Sequence, residues 1–289
     1  MTKREFLTAG IGAGLALNYG SAAFAQGGKK PPARKAKTTK LFKSPLDFPN
    51  AVSVTPEGLW IGEQKLSGDQ AKAYNLPEPK SLEESACLVD WSGKLLKTVT
   101  TPSRNTSGMA VGGGYIWMLA NAAPQGVFQV DMNSKLVSHR QIPLGAPGGD
   151  GGGSHGGLWH EGKLWIGSLR LRGNLLVDPK TWQPEYMIPF YQSYPNWIRY
   201  HGIAIQDGTM WQVIGNDSKD HKEYKPGLVR HDLKTGRVLE IVELLPGSSD
   251  PHGLAVYNGK LISCDAGIHP NWPNRDSPTA GWIFQIDFV

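Results

Sequence analysis

Five copies of one motif, a turn-rich composition and a low share of charge predict an all-β fold. The expected architecture is a β-propeller of five blades, each with four antiparallel strands. The copies read PNAVSVTPEGLW, TSGMAVGGGYIW, SHGGLWHEGKLW, YHGIAIQDGTMW and PHGLAVYNGKLI. Their last residues are Trp60, Trp117, Trp165, Trp211 and Ile262, spaced 57, 48, 46 and 51 apart. Repeats of that length, holding several short strands each, indicate propeller blades. The 289-residue chain carries 36 Gly, 21 Pro and 19% charged residues, which suits turns and strands better than helices.

The elements follow in order. Residues 1–25 form an export signal peptide. Lys3-Arg4 precedes a Gly/Ala-rich apolar stretch, and Ala23-Phe24-Ala25 supplies a cleavage site before Gln26. The string TKREFL is close to a twin-arginine signal, with Lys3 at the first arginine position; the general secretory route stays open beside it. A periplasmic or secreted protein is expected. Residues 26–39 read as a basic, flexible linker and residues 40–289 as the propeller domain.

Residues 1–43 hold nine of the 30 bases and one of the 25 acids. The remaining 21 bases and 24 acids leave the folded part at −3, so the net +5 belongs to leader and linker. A nucleic-acid partner, which needs a basic face on the domain itself, is not expected. After the leader no stretch is apolar for long enough to span a membrane, so the mature chain is expected to stay out of it, as a monomer.

Within each unit an apolar strand leads to a short Gly turn, and a second strand carries the Trp. A third strand ends in a hydrophobic-Asp pattern (CLVDW, VFQVDM, LLVDPK, LVRHDL, IFQIDF), and a fourth follows a polar turn. Residues 64–86 read as loop. The last unit ends after its third strand. Thr39–Lys43 is expected to add the missing fourth strand and close the ring.

The H-G-[LI]-A-x-x-x-G-x-[LM]-W units with hydrophobic-Asp third strands resemble a broad superfamily of exported enzymes and binders. It includes virginiamycin B lyase, the gluconolactonase-like proteins and the plant-type glutaminyl cyclases. The resemblance covers about residues 40–289 and implies the propeller fold. Five blades match the cyclase group. The likeness to virginiamycin B lyase implies chemistry by Mg and a His base.

Propeller geometry predicts which residues share a face. The starts of the first strands should meet the ends of the second strands at one mouth of the channel. The first set is Asn50, Thr106-Ser107, His155, His201 and His252, with Arg199 and Asp250 nearby. The second is Glu63-Gln64, Asn121, Arg170 to Arg172, Asn216-Asp217, and Asp265 to His269.

Three histidines at one repeat position suggest a metal site, a general base without metal, or a structural ring. As ligands, His155, His201 and His252 suit Zn, Fe or Cu better than Mg. Glu63, Arg170, Asp265 and His269 are the expected catalytic groups. Asp265 or Glu63 could be a further ligand or accept an imidazole N–H, and Arg170 could polarise a carbonyl. Trp197, Arg199, Tyr200, Asn121 and Asn216 are the expected substrate contacts. His139, His160, His221 and His231 read as solvated. Cys87 and Cys264 lie in the first and last repeats; a disulfide and two buried thiols are both open.

No G-x-S-x-G elbow, H-E-x-x-H helix or zinc-spaced Cys pair is present, which removes the common serine-hydrolase and zincin chemistries. The expected function is a metal-dependent enzyme of lyase or ring-opening type acting on a small molecule. A non-catalytic binding or scaffold propeller and a copper or iron redox enzyme are the alternatives.

Overall fold

In a computed structural model, the described residues are 18–19, 31–73, 81–144, 153–191, 199–215, 226–267 and 281–289. They are almost entirely β. Two N-terminal strands, β1 (Asn18–Tyr19) and β2 (Ala33–Lys43), precede the repeats. The first unit contains β3 (Pro49–Thr55), β4 (Gly58–Glu63), β5 (Glu84–Val89) and β6 (Leu95–Thr101). The second contains β7 (Thr106–Gly112), β8 (Tyr115–Ala120), β9 (Gly126–Asp131) and β10 (Leu136–Arg140). The third contains β11 (Ser154–His160), β12 (Lys163–Ser168), β13 (Gly173–Val177) and β14 (Pro184–Pro189). The fourth contains β15 (Arg199–Gln206), β16 (Thr209–Gly215), β17 (Pro226–Asp232) and β18 (Val238–Leu244). The last has β19 (Leu254–Tyr257), β20 (Lys260–Cys264) and β21 (Trp282–Phe288).

Each unit is an antiparallel meander. The first strands meet in ring order: β3 beside β7, β7 beside β11, β11 beside β15, β15 beside β19, and β19 beside β3. The result is an all-β, propeller-like architecture.

The hairpins between first and second strands explain the repeated Gly. Glu161-Gly162, Asp207-Gly208 and Asn258-Gly259 all take positive φ, for instance 48° and 76° at Glu161 and Gly162. That is the two-residue turn whose twist matches its strands. In the first four units the third-strand aspartates are turn caps. Asp131 Oδ1 accepts from the N–H groups of Asn133 and Lys135, and Asp232 Oδ1 from that of Thr235.

The last unit receives its fourth strand from β2, which pairs antiparallel with β21 over Ala36–Lys43. This is the closing strand that the sequence predicts. It starts earlier, at Ala33, inside the segment expected as flexible linker. Residues 33–36 pair in parallel with β18, so the last two units share one eight-stranded sheet. Charge explains the extension: Arg34 Nε lies 3.2 Å from Glu240 Oε2, and Lys35 stands opposite Glu243. Asn18–Tyr19, expected to lie outside the fold, pair in parallel with β14. The 64–86 stretch, expected as loop, contains helix α1 (Gly68–Ala73) and the start of β5.

The core fills the gaps between units. Between the first and last it is built from Val52, Leu59, Ile61, Ala255, Ile262 and Ile283, together with Cys87 and Cys264. Both cysteines are free, buried thiols. Burial pushes Cys87 up to about 12 and Cys264 upward as well, so neither is a ready nucleophile. His231, expected as solvated, is buried. Its Nδ1 donates to the Gly236 carbonyl at 3.0 Å, and burial lowers its pKa to about 4. No helix among the described residues is long and apolar enough to cross a membrane.

Candidate functional site at the channel mouth

In the first four units the repeat position that carries His or its counterpart sits on a β-bulge; in the last, His252 lies just before β19. Pairing of β3 with β4 shifts between Pro49 and Ala51, of β7 with β8 between Thr106 and Gly108, and of β11 with β12 between Ser154 and Gly156. In β15 the shift falls between Tyr200 and Ile203. The extra residues are Asn50, Ser107, His155 and the His201-Gly202 pair. A bulge frees a residue from the ladder and re-aims its side chain.

The next residue must then be small, because neighbouring first strands nearly touch. A Cβ on Gly108 would meet Gly156 backbone at 2.8 Å, and one on Gly253 would meet Val52 N at 2.5 Å. The Ser-Gly and His-Gly pairs of the motif thus combine a re-aimed polar group with close backbone approach.

Bulges carry His155 and His201, and His252 joins them from just before β19. The rings of His155 and His201 stack with centroids 4.6 Å apart and planes 20° apart. His201 meets His252 edge to face at 4.7 Å. His155 Nδ1 donates to the Tyr200 carbonyl at 3.1 Å. His201 and His252 are buried, as are Asp250 and Asp265. Asp250 Oδ2 lies 3.8 Å from His252 Nδ1. Asp265 accepts from the backbone N–H groups of Asp250 and Gly267 at 3.0 and 2.9 Å. The His252 loop is therefore held by one carboxylate and faced by another.

Stacked rings direct their in-plane lone pairs along nearly parallel planes, so they do not converge on one ion. Among the described residues no group of three His, Cys, Asp or Glu is arranged to hold a metal.

The other side of the ring is amide and hydroxyl. Asn50 Nδ2 donates to Gln64 Oε1 at 2.7 Å, to the Thr106 carbonyl at 3.2 Å and to Ser107 Oγ at 3.3 Å. Gln64 Nε2 donates to Asn105 Oδ1. Glu84, missed in the stretch expected as loop, anchors this network. Its carboxylate accepts from the N–H groups of Thr106 and Lys65, both at 2.9 Å. Burial raises Glu84 to about 7, against the pull of its Thr106 contact. Glu63 is also raised to about 7, chiefly by burial, with Lys65 opposing. The one signal for Glu84 in the sequence is an acid opening the apolar run ESACLV.

The remaining expected residues divide. Glu63 and Asp265 are buried at the ends of β4 and β20. Asn121 lies against Gly153, next to the His155 strand. Arg170 is exposed on the β12–β13 turn. Arg172 holds its guanidinium 6.0 Å from the Tyr200 ring. Tyr200 points away from the axis: it stacks on Phe190 at 4.1 Å, and its hydroxyl donates to the Tyr191 carbonyl at 2.7 Å. The bulge that follows it turns its neighbour His201 to the axis instead. Arg199 opens β15 opposite Gly215. Trp197, Asn216, His221 and His269 lie outside the described residues.

This architecture matches solved structures. Glutaminyl cyclase of Myxococcus xanthus aligns over 90% of this chain and 100% of its own, at 12% identity and TM-score 0.51. A tail fiber of Staphylococcus aureus phage P68 aligns over 88% of this chain and 53% of its own, at 12% identity and TM-score 0.56. The fold is a β-propeller. No family model and no curated protein matches the sequence. An enzyme and a fibre on one architecture illustrate why the propeller's chemistry must be read from its site.

Proposed function

We propose that the chain is an exported, five-bladed propeller enzyme that transfers protons on a small polar substrate at the His-lined mouth. The gathering of His155, His201 and His252 within 4.7 Å of their neighbours carries the reading. Two stacked imidazoles disfavour a second positive charge. The His155–His201 pair therefore keeps a neutral ring, which can accept a proton at neutral pH. His252, facing Asp250, is the ring placed to hold one. Base and acid side by side suit lyase, ring-opening or cyclising reactions, which remove a proton at one atom and return it at another. The cyclase aligned above performs a reaction of that kind by its name. Five motif copies and five adjoining first strands support the count of five blades. Export rests on the leader.

The test is turnover of a panel of lactones, cyclic amides and hydroxy acids by residues 26–289, beside His201→Gln and His252→Gln variants. Turnover lost in variants that unfold at the wild-type temperature supports the reading. Turnover unchanged in both variants overturns it.

The metal-bound alternative is favoured by the three imidazoles themselves. It requires His155 to rotate out of its stack on His201. Elemental analysis of the dialysed protein beside the triple His155, His201 and His252 alanine variant separates the two. About one metal per chain, lost in the variant, selects the metal.

A further inference from the structure

Asn50 Oδ1, at the channel mouth, is a buried acceptor that no donor reaches among the described residues. Asn50 is only 1% exposed. It stands at the repeat position that His155, His201 and His252 occupy in later units. A buried acceptor left without a donor is costly, and folded proteins keep one where a ligand or a water completes it.

The direction of this oxygen is fixed by what the amide nitrogen does. Asn50 Nδ2 donates to Gln64 Oε1 at 2.7 Å, to the Thr106 carbonyl at 3.2 Å and to Ser107 Oγ at 3.3 Å. A carbonyl only accepts, so turning the amide over would set oxygen against oxygen. The network is itself held. Gln64 Nε2 donates to Asn105 Oδ1, and Glu84 accepts the Thr106 N–H at 2.9 Å. The Ser107 hydroxyl sends its proton to the Asn105 carbonyl at 3.4 Å, not to Asn50. Nδ2 thus lies on the β7 side of β3, and Oδ1 is turned away from β7. The other neighbour of β3 is β19, which His252 introduces. The two approach closely, since a Cβ on Gly253 would meet Val52 N at 2.5 Å.

We propose that Asn50 selects the substrate by requiring an N–H or O–H donor on it. The inference rests on the mouth being the substrate site proposed above, and it narrows the chemistry there. Cyclic amides and hydroxy acids carry such a donor. Lactones, which have the shape of cyclic amides, do not, and a ring oxygen set against Oδ1 would place acceptor on acceptor. A site that holds a fixed polar partner rejects the analogue that leaves it unpaired far more sharply than an apolar pocket rejects an extra methylene.

The probes are 2-piperidone beside δ-valerolactone, and lactate beside isobutyrate. Each pair keeps its shape and exchanges only the donor. Binding to residues 26–289 is read by ligand-observed NMR, on the wild type and on the His201→Gln variant. At least one donor-bearing probe should bind about tenfold more tightly than its partner, the ratio left by one buried acceptor unpaired. Selection of 2-piperidone identifies an N–H substrate, and selection of lactate an O–H one. Asn50→Ser, which installs the residue of the second unit at this repeat position, should bring the ratio close to one. The wild-type ratios decide the matter if that variant does not fold. Equal affinities within both pairs overturn the proposal, as does binding of neither donor-bearing probe, which leaves water as the partner of Oδ1. A ratio that survives in folded Asn50→Ser also overturns it. Selection kept in a His201→Gln variant with unchanged turnover overturns the proton-transfer reading and supports the role of Asn50.

Discussion

Two buried titratable side chains, His231 and Glu84, pull the pH dependence of stability in opposite directions. His231 is held to about 4 by burial, below the roughly 6.5 of an unfolded chain. The unfolded state binds the extra proton between those values, so stability falls as pH drops from about 6.5 to 4. The full effect is roughly 3 kcal/mol. A His231→Gln variant should keep the Gly236 contact and flatten this slope in urea melts between pH 7 and 5. Glu84 is the reverse case, raised to about 7. Its folded form holds a proton that the unfolded form releases above about 4.3, so stability falls as pH rises from there to 7. Glu84→Gln should match wild type near pH 5 and exceed it at pH 8, measured by the same melts. The two residues differ in legibility. The axial histidines announced themselves because three repeats align them. Glu84 has no repeat equivalent, and His231 was misread as solvated because its burial depends on packing around the β17–β18 turn.

At the level of elements, the motif's logic is a bulge followed by a small residue. Gly253 shows the constraint most directly, since a Cβ there would strike Val52 backbone. Gly253→Ala should cost roughly 1–3 kcal/mol through overpacking, read as a lowered urea midpoint. The N-terminal strand gives a second prediction. A chain starting at residue 31 should be as stable as one starting at 26, whereas one starting at 39 loses the β18 pairing and the Ile241 N–H contact to the Pro32 carbonyl and should melt several degrees lower, about 1 kcal/mol per 2–4 °C at this size. The closing strand at 39–43 was readable from the missing fourth strand of the last unit. Its extension to Ala33 was not. Lys and Arg in sequence read as solvated linker until Glu240 and Glu243, more than 200 residues away, appear beside them.

At the scale of the whole molecule, the ring brings distant repeats to one axis and makes it chemically two-sided. One side holds stacked imidazoles with Asp250 and Asp265, the other an amide and hydroxyl network tied to Glu84. The architecture and the shared position of the histidines were written in the repeat. Their mutual orientation was not, because ring planes depend on side-chain packing that spacing does not encode. The stacked arrangement is what favours the proposed proton transfer over a metal centre. The most direct measurement is a ¹⁵N-imidazole NMR titration of residues 26–289 from pH 5 to 8.5, assigned with single His→Gln variants. The account predicts that His155, His201 and His252 titrate as a coupled set, with a neutral ring beside a charged one near pH 7. Three imidazoles fixed in one tautomer across that range would show a structural ring and contradict it.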